Sequence, residues 1–256
     1  MRFLAVFALL FAYAFANEAY EIMKKVDERD KGNMMNARMK MILIDGSNKS
    51  RERLMRQYKK IDGDLTKKSI FFIEPADVKN TGFLTFDRRD GDDDQWLYLP
   101  SLRKTKRIAS SDQSGSFMGS DFSYNDLNDR NLNDYTYELV GEREMNGAAC
   151  WVVEATSKDE KVIGVTGYTK MITFVRKDNY VIVGSINHEE KGGRVKYLEI
   201  PKLKLIDGIW QPMEMKMTLR QEDVIVHSTV LVFDEVRFNQ KIDSDLFTVR
   251  GIERGL

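Results

Sequence analysis

The chain has one cysteine, two histidines and four prolines, and its 40 acidic residues balance its 40 basic ones. A single cysteine, Cys150, excludes an internal disulfide. Beside Trp151 and Val152 in a strand-like run, it reads as a buried structural thiol. His188 and His227 have no partner at a metal-ligand spacing, so each reads as an ordinary surface or core histidine and no metal is expected. There is no Gly-x-Ser-x-Gly elbow, phosphate loop or Cys-His pairing. Ser110, Ser111, Ser114, Ser116 and Ser120 read as turn residues, because nothing nearby in sequence is a base. No catalytic residue and no cofactor are therefore expected. Balanced charge argues against a nucleic-acid partner.

Long apolar runs are also missing, with one short exception at the start. Residues 3–13 are apolar and follow Arg2, and Ala14-Phe15-Ala16 has the form of a cleavage site. The run is too short to span a bilayer comfortably. Residues 1–16 thus read as an export signal, leaving 17–256 as one mature domain. No cysteine follows the cleavage point, so lipid anchoring there is not expected.

What is present is mostly β-sheet pattern. Residues 18–30 place Ala19, Ile22, Met23 and Val26 at helical spacing, ending at Gly32 and Asn33. The period then switches to two. In 36–43, Ala37, Met39, Met41 and Leu43 share one face. Residues 50–60 are strongly charged and read as a solvated edge strand. Residues 69–73 are apolar on both faces, as in a covered strand. A short helix is expected near 74–80, and 157–167 is ambiguous. Further strands are expected at 135–140, 149–155, 171–176, 180–187, 194–204, 210–219 and 224–236. Turn pairs such as Asn146-Gly147, Gly192-Gly193 and Asp207-Gly208 separate them.

Two methionine ladders stand out. Met213, Met215 and Met217 alternate with Glu214, Lys216 and Thr218, and Met39 and Met41 form a second, shorter ladder. Thioether chains fit irregular apolar partners. The ladders fit either ordinary core packing or an adaptable apolar cavity. The stretch 75–127 adds to this. It holds an acidic turn (87–94), the apolar run Trp96-Leu97-Tyr98-Leu99 and a basic run (103–107). A Ser/Gly-rich loop follows that still carries Phe117, Met118, Phe122 and Tyr124. A long loop with such side chains needs something to bury them. The acidic turn does not follow the EF-hand spacing and reads as a hairpin loop. Arg103, Lys104, Lys106 and Arg107 fit either a lipid-headgroup or partner contact, or an exposed strand face paired with the acidic turn.

The run TGFLTFDRRDGDDDQWLYLPSLRKTKRIASSDQSGSFMGSDFSYNDL resembles the bacterial outer membrane lipoprotein-sorting protein family of the LolA-like superfamily. That resemblance implies a mainly β (α+β) fold: an unclosed half-barrel of antiparallel strands with helices covering its concave apolar face. It implies a periplasmic carrier of lipids or acylated proteins that works towards the outer membrane, and association with inner-membrane RND-type lipid exporters and an outer-membrane acceptor. With that fold, Met39, Met41, Met213, Met215 and Met217 are expected to line the cavity. Trp96, Tyr98, Phe117, Met118 and Phe122 are expected as its lid or rim. The chain is read as a monomer. An adaptor docking on the exporter through the basic run, and an envelope hydrolase, are the alternatives, and the empty motif search counts against the hydrolase. N-terminal sequencing of exported protein should read Asn17 first; a chain that keeps residues 3–13 would remove the signal assignment.

Overall fold

Alternation of apolar and polar side chains over most of the chain produces strands, and nearly every strand is followed by a tight turn. Such hairpins pair neighbours in sequence and build one antiparallel sheet. The computed structural model describes residues 17–89, 91–222 and 224–256, so the export signal expected at 1–16 lies outside the described residues. Thirteen strands form: β1 (Met34–Asp45), β2 (Ser50–Asp62), β3 (Leu65–Glu74), β4 (Gly82–Arg88), β5 (Asp94–Leu99), β6 (Lys104–Ile108), β7 (Tyr135–Met145), β8 (Ala148–Ser157), β9 (Tyr168–Arg176), β10 (Ile182–Glu189), β11 (Arg194–Ile206), β12 (Ile209–Gln221) and β13 (Val224–Phe238). Their order in the sheet is β6-β5-β4-β3-β2-β1-β13-β12-β11-β10-β9-β8-β7. The sheet does not close, because β6 and β7 are both left as edges.

Residues 109–134 join those two edges. This strap leaves the end of β6, crosses the inner face through four short 3-10 turns and enters β7. Across the strap's foot, Lys161 of the segment after β8 reaches Asp92 of the β4–β5 turn at 3.1 Å.

Among the described residues, three α-helices cover the sheet. Residues 17–28 form α1, whose Ala19, Ile22 and Met23 pack on Tyr135, Tyr137, Val153 and Ala155 of the inner face. Helix α2 (Glu160–Thr166) starts at Asp159, which accepts a hydrogen bond from the Val162 N–H, and stops at Gly167 with φ 80°. Helix α3 (Val249–Arg254) lies on the opposite, outer face. There Phe247 and Ile252 pack on Phe71 and Leu84. Cys150 is buried in a separate outer-face cluster with Phe174 and Val183.

Three expectations are corrected. The charged segment 50–60 is not an edge: β2 pairs with β1 on one side and β3 on the other. Its charges are met across strands, as in Lys40–Glu52 (3.1 Å) and Arg56–Glu235 (2.9 Å). Residues 75–80 form a turn rather than a helix. Trp96 and Tyr98 do not rim the inner face. On β5 it is Leu97 that joins the inner cluster, while Trp96 and Tyr98 join Phe71 and Ile252 beneath α3. Successive side chains on a strand point to opposite faces, so these aromatics belong to the outer core.

Gly82 sets how closely α3 approaches β4. A Cβ there would lie 2.6 Å from the Ile252 carbonyl oxygen and 2.7 Å from its Cβ. Backbone cannot yield as a flexible side chain would, so Gly82→Ala should lower stability by about 1–3 kcal/mol. Denaturant unfolding of the two proteins measures it.

Candidate functional site

The inner face near the middle of the sheet is the candidate site. Register places its side chains in rows running across strands. Met41 faces Arg53 on β2 and Leu231 on β13, and Leu231 faces Met215 on β12. One row along, Leu43 faces Thr229, Thr229 faces Met217, and Met217 faces Leu198 on β11. On the other side, Met39 lies between Phe233 and Met55, and Met55 faces Phe72. The two methionine ladders thus sit on either side of β13 and share one apolar surface. Met39, Met41 and Met217 are buried, and Met213 and Met215 pack against the same cluster while half-buried.

The strap fills the space above this surface. Within it, the Phe117 N–H donates to the Phe122 carbonyl (2.8 Å) and the Tyr124 N–H to the Gly115 carbonyl (3.0 Å). These bonds fold residues 115–124 into a small loop aimed at the sheet. Phe117, fully buried, meets Phe83 edge-on (centroids 5.1 Å apart) and also contacts Phe72 and Tyr124. Phe122 is buried in the same cluster, and Met118 packs against it. Met118 (φ 52°) and Gly119 (φ 76°) turn the tip through the left-handed region, which is unusual for methionine. With these side chains in place, the cavity left against Met215 and Met217 is about 60 Å³. Pockets that take drug-sized ligands are roughly 300–1,000 Å³. Where the sequence led us to expect a cavity over the methionine rows, the structure fills that space with the strap's own side chains.

Polar contacts hold the strap down. The Asp121 carboxylate accepts from the Thr229 hydroxyl (2.7 Å) and lies 2.7 Å from His227 Nδ1, while the Asp121 N–H donates to Thr229 Oγ1 (3.0 Å). Arg53 donates to the Met118 carbonyl (2.5 Å), and burial lowers the pKa of its guanidinium. Gln95 donates to the Tyr124 carbonyl (3.0 Å) and Lys68 to the Leu127 carbonyl (3.0 Å). At the strap's foot, Asn128 accepts from Thr85 (3.0 Å) and donates to Asp93 (2.7 Å), and the Asp129 N–H donates to Asp87 (2.7 Å). Sequence gave Arg53, Asp121 and His227 no role. Their partners lie 65 to 108 positions away, a distance that local patterning does not bridge.

The basic run does not present one face. Lys104 to Ile108 is the edge strand β6, so its side chains alternate. Arg107 bonds Asp94 of the acidic turn, and Lys106 reaches Asp112 of the strap at 3.6 Å. Arg103 sits in the β5–β6 turn beside Leu102, which is 62% exposed. Two larger clefts of about 420 and 300 Å³ flank the strap, lined largely by charged and polar groups such as Lys31, Asp64, Arg88, Asp92 and Arg130. Among the described residues no cluster of three metal-ligating side chains occurs.

A family model for uncharacterized proteins matches residues 64–254. A Vibrio parahaemolyticus structure, named as an outer membrane lipoprotein-sorting protein domain, is 33% identical with a TM-score of 0.85, over 93% of this chain and 100% of that one. The chain belongs to the LolA-like family of outer membrane lipoprotein-sorting proteins. A DUF1329 family protein from Desulfovibrio piger is 27% identical (TM-score 0.84; 93% and 99% covered). A LolA superfamily protein from Nitrosomonas europaea shares the fold at 19% identity (TM-score 0.68; 91% and 98%). The open 13-stranded antiparallel sheet is the architecture of this LolA-like family. No curated protein matches the chain.

Asp93, at the strap's foot, gives a pH test. Burial raises its pKa from 3.8 to about 6, with the neighbouring Asp87 charge adding to the effect. A carboxyl with a higher pKa folded than unfolded takes up a proton on folding between about pH 4 and 6. Its contribution to stability is therefore lost as pH rises through that window. Asp93→Asn removes the titration, so the melting temperature of the variant relative to wild type should be higher at pH 7.5 and fall towards wild type at pH 4. A difference that does not change with pH would rule out Asp93 as the group.

Proposed function

We propose that the chain is a periplasmic carrier that binds the acyl chains of a lipid or lipoprotein against the methionine rows and carries them towards the outer membrane. The observation that carries this reading is the strap. Its Phe117, Met118 and Phe122 lie on the methionine surface, where they are held by a limited set of polar contacts to the sheet instead of strand pairing. An acyl chain would replace them. The name of the Vibrio relative and the export-signal pattern of residues 1–16 support the cargo class and the compartment.

Exchange also limits affinity, as a carrier requires. Burying a chain of about fifteen methylenes is worth roughly 12 kcal/mol at about 0.8 kcal/mol each. Re-exposing three large apolar side chains costs roughly 5–9 kcal/mol at about 1.5–3 each. The difference is small enough for release to an acceptor. Arg53 and the Asp121–Thr229–His227 contacts set the additional cost of lifting the strap. The methionines adjust to cargo of varied shape.

This role is binding and transfer without covalent chemistry. Docking on an inner-membrane RND-type exporter is a second reading. It draws on exposed Leu102 flanked by Arg103 and Lys104 at the tip of the β5–β6 turn.

Met215→Asp tests the carrier. It sets a carboxylate on the half-buried part of the methionine surface, where an acyl chain would have to desolvate it. The variant should stay folded by thermal melt and lose binding of a fluorescent acyl probe at least tenfold, whereas Arg53→Ala should speed probe uptake. A folded Met215→Asp protein that binds as wild type does would remove this surface from the site.

A further inference from the structure

The cavity of about 60 Å³ beside the methionine rows is not purely apolar. Asn187 lines it, together with Arg130, Asp126, Phe122, Met215 and Met217. Asn187 is 1% exposed, and neither its Nδ2 nor its Oδ1 has a hydrogen-bond partner among the described residues. Leaving both ends of a buried amide unpaired costs free energy comparable to lost hydrogen bonds, so such a group asks for a guest with both an acceptor and a donor. The charges around the cavity fix the guest's own charge. Arg130, which also donates to the Thr173 hydroxyl (3.4 Å), brings one positive charge. Asp126 brings a carboxylate that accepts from the Tyr168 hydroxyl (3.0 Å) and the Ser123 N–H (2.7 Å). Together they favour a neutral dipolar group and work against a free carboxylate. A single water needs about 10–15 Å³ of such space, so the cavity takes a group of a few heavy atoms and no bulky phosphate headgroup.

We infer that this pocket is a subsite for the uncharged polar joint of an acyl lipid, a carbonyl beside a hydroxyl or N–H donor, with the hydrocarbon lying along the methionine rows. The Asn187 Nδ2 donates to the carbonyl, and Oδ1 accepts from the neighbouring donor. This rests on the carrier reading and names the part of the lipid that is recognised. Phe122 lines the same cavity, so the lifting of the strap that admits the chain also admits its polar joint.

Competition against a bound fluorescent acyl probe tests the subsite. The competitors share one chain length: a 1-monoacylglycerol, an N-acylethanolamine, a free fatty acid and the plain hydrocarbon. Wild type should prefer the monoacylglycerol or the N-acylethanolamine over the fatty acid and the hydrocarbon by about tenfold, the scale of one or two well-made buried hydrogen bonds. The first two arms tell an ester joint from an amide joint. Asn187→Leu replaces an unpaired buried amide with an apolar side chain of similar volume, so its melting temperature should not fall. Its hydrocarbon affinity should stay and its preference should shrink to about twofold. Should Asn187→Leu fail to fold, Asn187→Ser, which keeps a small hydroxyl, should show a partial loss of preference. Wild type that binds all four alike, or a preference that survives in these variants, overturns the subsite and leaves the carrier standing. A wild type that binds none of them, the probe included, overturns the carrier reading first.

Discussion

An antiparallel sheet that stops short of closing has an apolar inner face and two unpaired edges. Both need cover, and in this molecule one stretch of chain supplies much of it. Residues 109–134 start at one edge, cross the inner face and become the other edge. The aromatic side chains of that stretch complete the core over the methionine rows, and its backbone carbonyls take the donors that Arg53, Gln95 and Lys68 send up from the sheet. Remove that cover and the remaining sheet would expose Met39, Met41, Met217, Phe83 and Phe233 together, an area that soluble proteins do not leave open.

The same arrangement links stability to function. A core completed by another strand would be held by ladder hydrogen bonds along its whole length. Here the central cover is held by its packed aromatic side chains and by scattered side-chain contacts, to its backbone from Arg53, Gln95 and Lys68 and to its Asp121 carboxylate from Thr229 and His227. The outer face shows the contrast. There α3 presses so closely on β4 that only glycine fits at position 82. One face is fixed by a close backbone approach, and the other is closed by side-chain packing.

Patterns within one strand were legible in the sequence, and meetings between distant segments were not. Period-two alternation was enough to put Met39 with Met41 and Met213 with Met215 and Met217. The aromatic content of residues 117–124 marked that loop as one that must be buried. Trp96 and Tyr98 went to the wrong face because a strand's parity cannot be read until a neighbour fixes which side is inner. The charge on residues 50–60 suggested an edge, yet cross-strand ion pairs let a charged strand sit inside the sheet. The Asp121–His227 contact, the route of the strap and the unpaired Asn187 amide all depend on tertiary placement, which composition and spacing do not encode.

The strap's two attachments have a mechanical consequence. A lid hinged at one end swings clear and leaves an open mouth. A segment continuous with both sheet edges cannot; it can only rise like the handle of a pail. Its roughly 26 residues could span about 85 Å if fully drawn out, so the folded loop at 115–124 holds ample slack. Raised in the proposed carrier, it would open two side windows, one on each flank, rather than a single clear exit. In the carrier proposed above, a long hydrocarbon would thread in and out sideways beneath a bridge that stays attached at both ends. The donor and acceptor of that proposed transfer would then reach the chain from opposite flanks without meeting at one opening.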